Sequence, residues 1–183
     1  MLTESVRSAK LEELPHIADI ERAAGVLFAN AGMPEIAAHP PTPLQDLKTH
    51  LDDDTLLVAT DHNTLVGFAT LTTHAQSAHL DEMAVHPQYG RRGHGTRLLE
   101  AACALAQRRG HTAITLTTFK HLAWNAPYYA KRGFRTLTES ELTDELHRLR
   151  AHEATYGLDP NLRVVMRREL DATQNSIGKT LGP

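Results

Sequence analysis

The segment from Val85 to Leu99, VHPQYGRRGHGTRLL, constrains the fold more than any other part of this sequence. It follows SAHLDEMAV, whose apolar content predicts a strand that ends before Pro87. It leads into an apolar stripe at helical spacing, which predicts a helix from about Gly95 to the stop at Gly110. A strand, a glycine-rich loop and a helix therefore follow one another directly.

The loop itself predicts an anion site. The first amides of a helix have no intrahelical partner, and the positive end of the helix dipole adds to their attraction for an anion. Gly90, Gly93 and Gly95 allow the backbone to approach a ligand closely, and Arg91 and Arg92 add positive charge. We expect a phosphate or pyrophosphate to bind here.

Two familiar phosphate motifs do not fit. A dinucleotide-binding fingerprint needs a third glycine where this sequence has Leu98, and a P-loop ending in GKT at 178–180 would need a glycine where Thr173 stands. The remaining interpretation is a loop whose backbone amides hold the pyrophosphate of an acyl-CoA.

The rest of the chain mixes strands and helices. The predicted strands are SVRSAK at 5–10, TLLVAT and LVGFATLTT joined by a hairpin turn at DHNT, AITLTT at 113–118, and LRVVMRREL. One helix has Pro15 in its first turn, and a second has Thr42 as its N-cap after a loop at 30–41. A short helix follows Asn125, and a capping box opens another helix at 139–156.

Length and composition suit one domain over residues 1–170, followed by a mobile polar tail at 171–183. The net charge of −3 gives no indication of a general nucleic-acid or anionic-membrane binder. The only cysteine, Cys103, excludes an internal disulfide and favours the cytoplasm. Neither a secretory signal nor a membrane span is expected, and no metal-ligand spacing is found.

Two motifs resemble those of the GNAT superfamily of N-acetyltransferases. They are LDEMAVHPQYGRRGHGTRLLEAA and, one helix and one strand later, WNAPYYAKRGF. The sequence departs from the family at Gly90, where Gln or Arg is usual. The resemblance implies an α/β fold with a mixed, mostly antiparallel central sheet of about seven strands. Helices would flank both faces, and two parallel strands would splay apart at the cofactor site.

The resemblance also implies acetyl-CoA as cosubstrate. Its pyrophosphate would bind the loop amides and its pantetheine arm the end of the preceding strand, with Asn125 on the opposite side. The expected contacts are Arg91, Arg92, Gly93, His94, Gly95 and Thr96 for the pyrophosphate, and Met83, Ala84 and Val85 for the arm. The acetyl group would pass directly to an amine, with the oxyanion on a backbone N–H near Met83.

An amine with an ordinary pKa of ~10 needs a base at pH 7. Asp81 and Glu82 are the candidates, with Glu82 slightly preferred, and His79 or a water molecule is the alternative. Because neighbouring strand residues face opposite ways, only one of the two carboxylates is expected to face the acceptor. The resemblance assigns the acid that protonates the thiolate to Tyr129, four residues before Gly133, and not to Tyr128.

The resemblance also implies that the acceptor, a small-molecule or peptide amine, binds between the segments 25–42 and 139–160. Phe28, Met33, His39 and Tyr156 are its candidate contacts, on position alone. The alternative function is a catalytically silent acyl-CoA sensor of the same fold. Homodimers are frequent in the family, so a homodimer is possible here.

Overall fold

The computed structural model describes residues 5–73 and 77–170, and its centre is a seven-stranded sheet with the order β1-β2-β3-β4-β5-β7-β6. The strands are β1 (Ser5–Ser8), β2 (Leu56–Asp61), β3 (Thr64–Thr73), β4 (Ala78–Val85), β5 (Ala113–Phe119), β6 (Arg135–Thr136) and β7 (Arg163–Glu169). The β4–β5 pair is parallel and the other pairs are antiparallel. The predicted fold class is confirmed.

Six α-helices join the strands. They are α1 (Leu14–Asn30), α2 (Pro34–Ala37), α3 (Leu44–Asp52), α4 (His94–Arg108), α5 (Ala126–Ala130) and α6 (Asp144–Thr155). Short 3-10 turns lie at Leu11–Glu13, Pro87–Tyr89, Glu139–Glu141 and Pro160–Leu162. No helix in the described ranges is long and apolar enough to cross a bilayer.

The helices cover both faces of the sheet. On one face, α4 buries Leu98, Leu99 and Ala102 against strand residues such as Leu71 and Leu116. On the other face, α1 and α3 pack against β2 and β3 through a second cluster of Ile17, Ile20, Leu47, Val58 and Phe68. The helix α6 packs beside them, where Leu146 contacts Leu137 and Val165.

The predicted hairpin between β2 and β3 is confirmed. His62 and Asn63 form its tip with φ values of 49° and 65°, the left-handed conformation that a two-residue hairpin turn requires at both positions. The predicted helix stop at Gly110 is also confirmed, with φ 87° immediately after the C-cap.

Several element boundaries were predicted wrongly. Thr42 does not cap α3, which begins after Pro43, because the hydroxyl and amide of Thr42 both donate to the carboxylate of Glu21. The capping box at Thr138 opens only a 3-10 turn, and α6 starts later, with Thr143 as its N-cap.

Two short elements were missed altogether. The segment 30–41 contains α2, whose single turn was hidden by its neighbouring glycine and prolines. The strand β6 has two residues, too few for an alternating pattern. The tail predicted to be mobile, 171–183, lies outside the described residues.

Candidate active site

The strands β4 and β5 separate after a short stretch of pairing. Their register runs from Ala78 opposite Ile114 to Leu80 opposite Leu116, and along the described chain they do not pair beyond that point. The strand β4 continues to Val85 and β5 to Phe119, so the β5-facing backbone groups of β4 lack a strand partner there. A cavity of about 870 Å³ opens between the two strand ends.

The glycine-rich loop closes one end of this cavity. Gly93, with φ 87°, precedes the first residue of α4, and Arg91 also has a positive φ of 62°. In the part of the chain that the structure describes, the amides from Arg91 to Thr96 have no hydrogen-bond acceptor, whereas the amide of Arg97 donates to Gly93. A row of free donors at a helix N-terminus fits a pyrophosphate.

The side chain of His94 is buried beside Arg97 and Asp61. It is 1% exposed, with Nδ1 3.0 Å from the guanidinium of Arg97 and Nε2 3.7 Å from the Asp61 carboxylate. Arg92 lies 3.7 Å from the same carboxylate. Asp61 thus lies near Arg92 and His94, on either side of Gly93, and what His94 can offer a ligand is its backbone.

Tyr128 and Arg132 stand against the start of α4. A Cβ added to Gly95 would lie 3.1 Å from the Tyr128 hydroxyl, so any larger residue there would require Tyr128 to shift by a few tenths of an ångström. The guanidinium of Arg132 lies 3.6 Å from the centre of the Tyr128 ring and donates to the Thr96 hydroxyl at 2.8 Å. Both residues line the cavity. The sequence analysis missed Arg132, although its position four residues after Tyr128 on a short helix was a usable signal.

Asn125 lines the cavity. It precedes α5, but its side chain does not cap that helix. Its Oδ1 instead accepts hydrogen bonds from the Thr118 hydroxyl at 2.7 Å and from the amide of Phe119 at 3.3 Å. Asn125 therefore fastens α5 to the free end of β5.

Asp81 and Glu82 both line the cavity, so the prediction that only one carboxylate would face it was wrong. The cause is a β-bulge. Thr70 lies opposite Glu82 while Leu71 lies opposite Leu80, which leaves Asp81 as an extra residue in β4. The bulge resets the alternation and places two neighbouring side chains on one side of the sheet.

The cavity raises the pKa of both carboxyl groups. Desolvation, reinforced by the charge of Glu21, raises the pKa of Glu82 to about 7. Desolvation also raises the pKa of Asp81 to about 6, against the effect of a 2.8 Å hydrogen bond from the Thr72 hydroxyl. A carboxyl group with a pKa near 7 suits proton transfer at neutral pH.

His79, the alternative base, does not line this cavity. It is buried with Nδ1 2.8 Å from the Thr115 hydroxyl, and it lines a second cavity of about 380 Å³ beneath α6. Asp81 lines both cavities.

Tyr129 is 9% exposed and lines the main cavity, with its ring packed edge-to-face on Tyr128 and Phe134. Burial and then the charge of Glu82 raise its pKa well above the usual value, so the hydroxyl stays protonated at neutral pH. No partner for this hydroxyl is present within 5–73 and 77–170, which leaves its proton available to a ligand.

The predicted acceptor contacts are only partly brought together. Phe28 lines the cavity. Met33 is buried in a neighbouring cluster with Phe119, and His39 and Tyr156 are exposed and lie outside the lining. The sequence analysis missed Trp124 and Arg163, which do line the cavity, because no local pattern marked them.

The comparisons with known proteins agree with this geometry. A model of the Acetyltransferase (GNAT) family matches residues 24–134. The PaiA N-acetyltransferase of Thermoplasma acidophilum, solved with coenzyme A, has a TM-score of 0.65 and 18% identity, covering 91% of this chain and 99% of that one. The ribosomal-protein-S18-alanine N-acetyltransferase of Escherichia coli has a TM-score of 0.65 and 17% identity, covering 96% and 99%.

A longer protein also matches. The N-acetylglutamate synthase of Neisseria gonorrhoeae, solved with coenzyme A and N-acetyl-glutamate, has a TM-score of 0.70 and 23% identity, with 92% of this chain covered. This chain spans 35% of that protein, about a third of its length. The fold and the family match define the class, and the chain belongs to the GNAT acetyltransferase family.

Proposed function

We propose that this protein is an acetyl-CoA-dependent N-acetyltransferase that moves an acetyl group directly to a primary amine. One observation carries the proposal. The cavity between β4 and β5 has a row of free amides at one end and two carboxylates and a tyrosine hydroxyl inside it. The coenzyme A bound to two of the structural neighbours supports the same cosubstrate.

The cavity's residues suit the two halves of the cosubstrate. The amides of Arg91 to Thr96 would hold the pyrophosphate, with Arg91 and Arg132 supplying charge. The unpaired β5-facing backbone of Met83, Ala84 and Val85 would hydrogen-bond the pantetheine arm, as a missing strand would. Asn125 would contact that arm from the other wall.

The chemistry then needs a base and an acid. Glu82 would take one proton from the ammonium group, and the neutral amine nitrogen would then bond to the acetyl carbon. A backbone N–H near Met83 would stabilise the oxyanion. As the carbon–sulfur bond breaks, Tyr129 would give its proton to the thiolate, and the second proton lost by the nitrogen would return to the Tyr129 oxygen through water. Asp81, held by Thr72, is the alternative base.

The acceptor class in this proposal is a small-molecule or peptide amine. A cytoplasmic location and a homodimer belong to the same proposal. The location is supported by the buried, unpaired thiol of Cys103, whose pKa is raised to about 11 by burial. A silent sensor has no use for a base with a matched pKa, so enzymatic transfer is the better supported function.

Calorimetric titration with acetyl-CoA, with ATP and NADH as controls, tests the loop assignment. Thiol release against a panel of amines then tests transfer. Binding of acetyl-CoA alone, with amine-dependent release, is the expected result. Binding of ATP or NADH instead would contradict the cofactor assignment, and binding without release from any amine would favour the sensor.

A further inference from the structure

We propose that the acceptor is an amine carrying an aromatic or long apolar group and no carboxylate near its nitrogen. This inference rests on the proposed function and refines the acceptor half of the same cavity. Two independent features support it: the distribution of charge along the cavity, and an aromatic wall beside the carboxylates.

Charge divides the cavity into two ends. The arginines at the α4 end, Arg91 and Arg132, lie beside the loop amides. At the other end are Asp81 and Glu82, and the charge of Glu21 on α1 reaches Glu82 strongly enough to raise its pKa. An amine that approaches this end enters a negative field, which favours a cation and disfavours an additional carboxylate.

Arg163 is the cationic side chain of the acceptor end, and it is already engaged. Its guanidinium donates to the Glu153 carboxylate at 3.0 Å and to the Thr117 hydroxyl at 2.9 Å, and it lies 4.9 Å from the Phe119 ring centre. Its side chain is only 12% exposed. Glu153 thus already compensates the charge of Arg163, which weakens its attraction for a substrate carboxylate and makes an α-amino acid a poorer fit.

Three aromatic side chains form a wall of the cavity that Asp81 and Glu82 also line. Phe28 lies with its ring 5.7 Å from that of Phe119 and 6.2 Å from that of Trp124, and all three rings line the cavity. Trp124 is 38% exposed, an unusual position for the sole tryptophan of the chain. Rings at this spacing offer edge and face contacts to another aromatic group.

The helix α1 sets the distance between the negatively charged end of the cavity and its aromatic wall. Glu21 and Phe28 are seven residues apart, two helical turns on one face and about 10 Å along the axis. Ala24 between them lines the cavity and leaves room for a ligand. A molecule with an ammonium group at one end and a ring or aliphatic chain at the other would satisfy both ends.

Matched pairs of acceptors test this inference. Thiol release at saturating acetyl-CoA compares phenethylamine with phenylalanine, and tryptamine with tryptophan. We expect kcat/KM for each amine to exceed that of its amino acid by at least ten-fold, about 1.4 kcal/mol. A Glu21→Gln variant should reduce this ratio, because it removes charge without removing the side chain.

A variant of the aromatic wall tests the second feature. Trp124→Ala should raise KM for phenethylamine at least five-fold, while KM for ethylamine, which has no ring, stays within two-fold. Leu44→Ala removes another exposed apolar side chain, remote from the cavity, and should change neither value.

The outcomes separate this inference from the proposed function. Phenylalanine acetylated as well as phenethylamine, or a peptide amine preferred to both, would overturn the inferred acceptor and leave the acetyltransferase intact. Acetyl-CoA binding without release from any amine would overturn transfer and this inference together.

Discussion

Thr70 of β3 lies directly opposite Glu82 of β4, although the next residue along β3 lies opposite Leu80. The offset makes Asp81 the extra residue of a bulge. The Glu82 side chain therefore lies in the cavity between β4 and β5 that Asp81 also lines. Removing that offset would send one of the two carboxylates to the other face of the sheet. The bulge is therefore the device that brings two acids to the end of the parallel pair.

The pKa of Glu82 predicts the pH dependence of turnover. A base must be deprotonated to act, so kcat at saturating amine should rise with pH through a midpoint near 7. Glu82→Gln should lower kcat by about 10²-fold and remove this rise, because a general base typically contributes ~10²–10⁴-fold. Steady-state kcat between pH 5.5 and 9 measures both effects.

Asp81→Asn is the matched control, since it neutralises the neighbouring acid. It should keep the rise with pH and lose less turnover than Glu82→Gln. If Asp81→Asn abolishes the rise and Glu82→Gln keeps it, the roles of the two acids are reversed.

The same raised pKa affects stability. Folded Glu82 keeps its proton up to about pH 7, whereas the unfolded chain loses it near pH 4.5, so ionisation of Glu82 destabilises the fold progressively between these two values. Glu82→Gln removes this cost. Relative to wild type, its free energy of unfolding should therefore increase from pH 5 to pH 8.

The Glu82 side chain is exposed, so solvent screening reduces the effect; urea unfolding at the two pH values measures the difference, and its sign is the prediction. The exposed Glu35, changed to Gln, serves as the comparison. If the free energy of unfolding has the same pH dependence in the wild type and in Glu82→Gln, Glu82 titrates as a solvated carboxyl.

Local pattern was enough to locate the loop and its helix. Glycine spacing, the β-branched residues of β5 and the apolar stripe of α4 are properties of nearby residues, and each constrains the backbone directly. The hairpin tip at His62 and Asn63 was predictable for the same reason, because two consecutive left-handed residues favour a few residue types.

The other features of the site depend on contacts between residues that are distant in sequence. The bulge depends on how Thr70 and Leu71 of β3 pair with β4, and the alternation of residues within β4 does not encode that pairing. Asn125 directly precedes α5, but the ends of β5 and α5 meet so that its side chain accepts a hydrogen bond from Thr118 and does not cap the helix. Arg163 is held at the cavity by its hydrogen bond to Glu153 of α6, and no sequence spacing predicts that contact.

Tyr129 and Tyr128 are adjacent tyrosines with different expected roles. The Tyr129 hydroxyl has no partner in the described part of the chain, whereas the Tyr128 hydroxyl lies 3.4 Å from the Thr96 hydroxyl at the start of α4. Tyr129→Phe should lower kcat by about 10²-fold, as expected for loss of a general acid, with the Kd for acetyl-CoA within two-fold.

Tyr128→Phe should act in the opposite sense, changing the affinity for acetyl-CoA more than turnover. Calorimetry and steady-state kinetics on the two variants separate the effects. Equal losses of kcat and affinity in Tyr129→Phe would assign that residue a packing role against Phe134.

Gly93 and Gly110 share a φ of 87° at opposite ends of α4, which gives a controlled test of the pyrophosphate loop. Alanine at either position adopts a left-handed backbone at a cost of about 1–2 kcal/mol, so both variants should lose similar amounts of unfolding free energy. Beside Gly93, an added Cβ would also lie 3.2 Å from the Arg97 guanidinium, a flexible group that can move; at Gly110 it would meet nothing within 4 Å.

The difference between the sites is their distance from the free amides. Gly93→Ala should raise the Kd for acetyl-CoA at least five-fold, because it displaces the free backbone amides of residues 91–96. Gly110→Ala should leave the Kd unchanged. Unfolding and calorimetry on both variants provide the comparison, and an equal Kd in the two would mean that the loop backbone does not hold the cosubstrate.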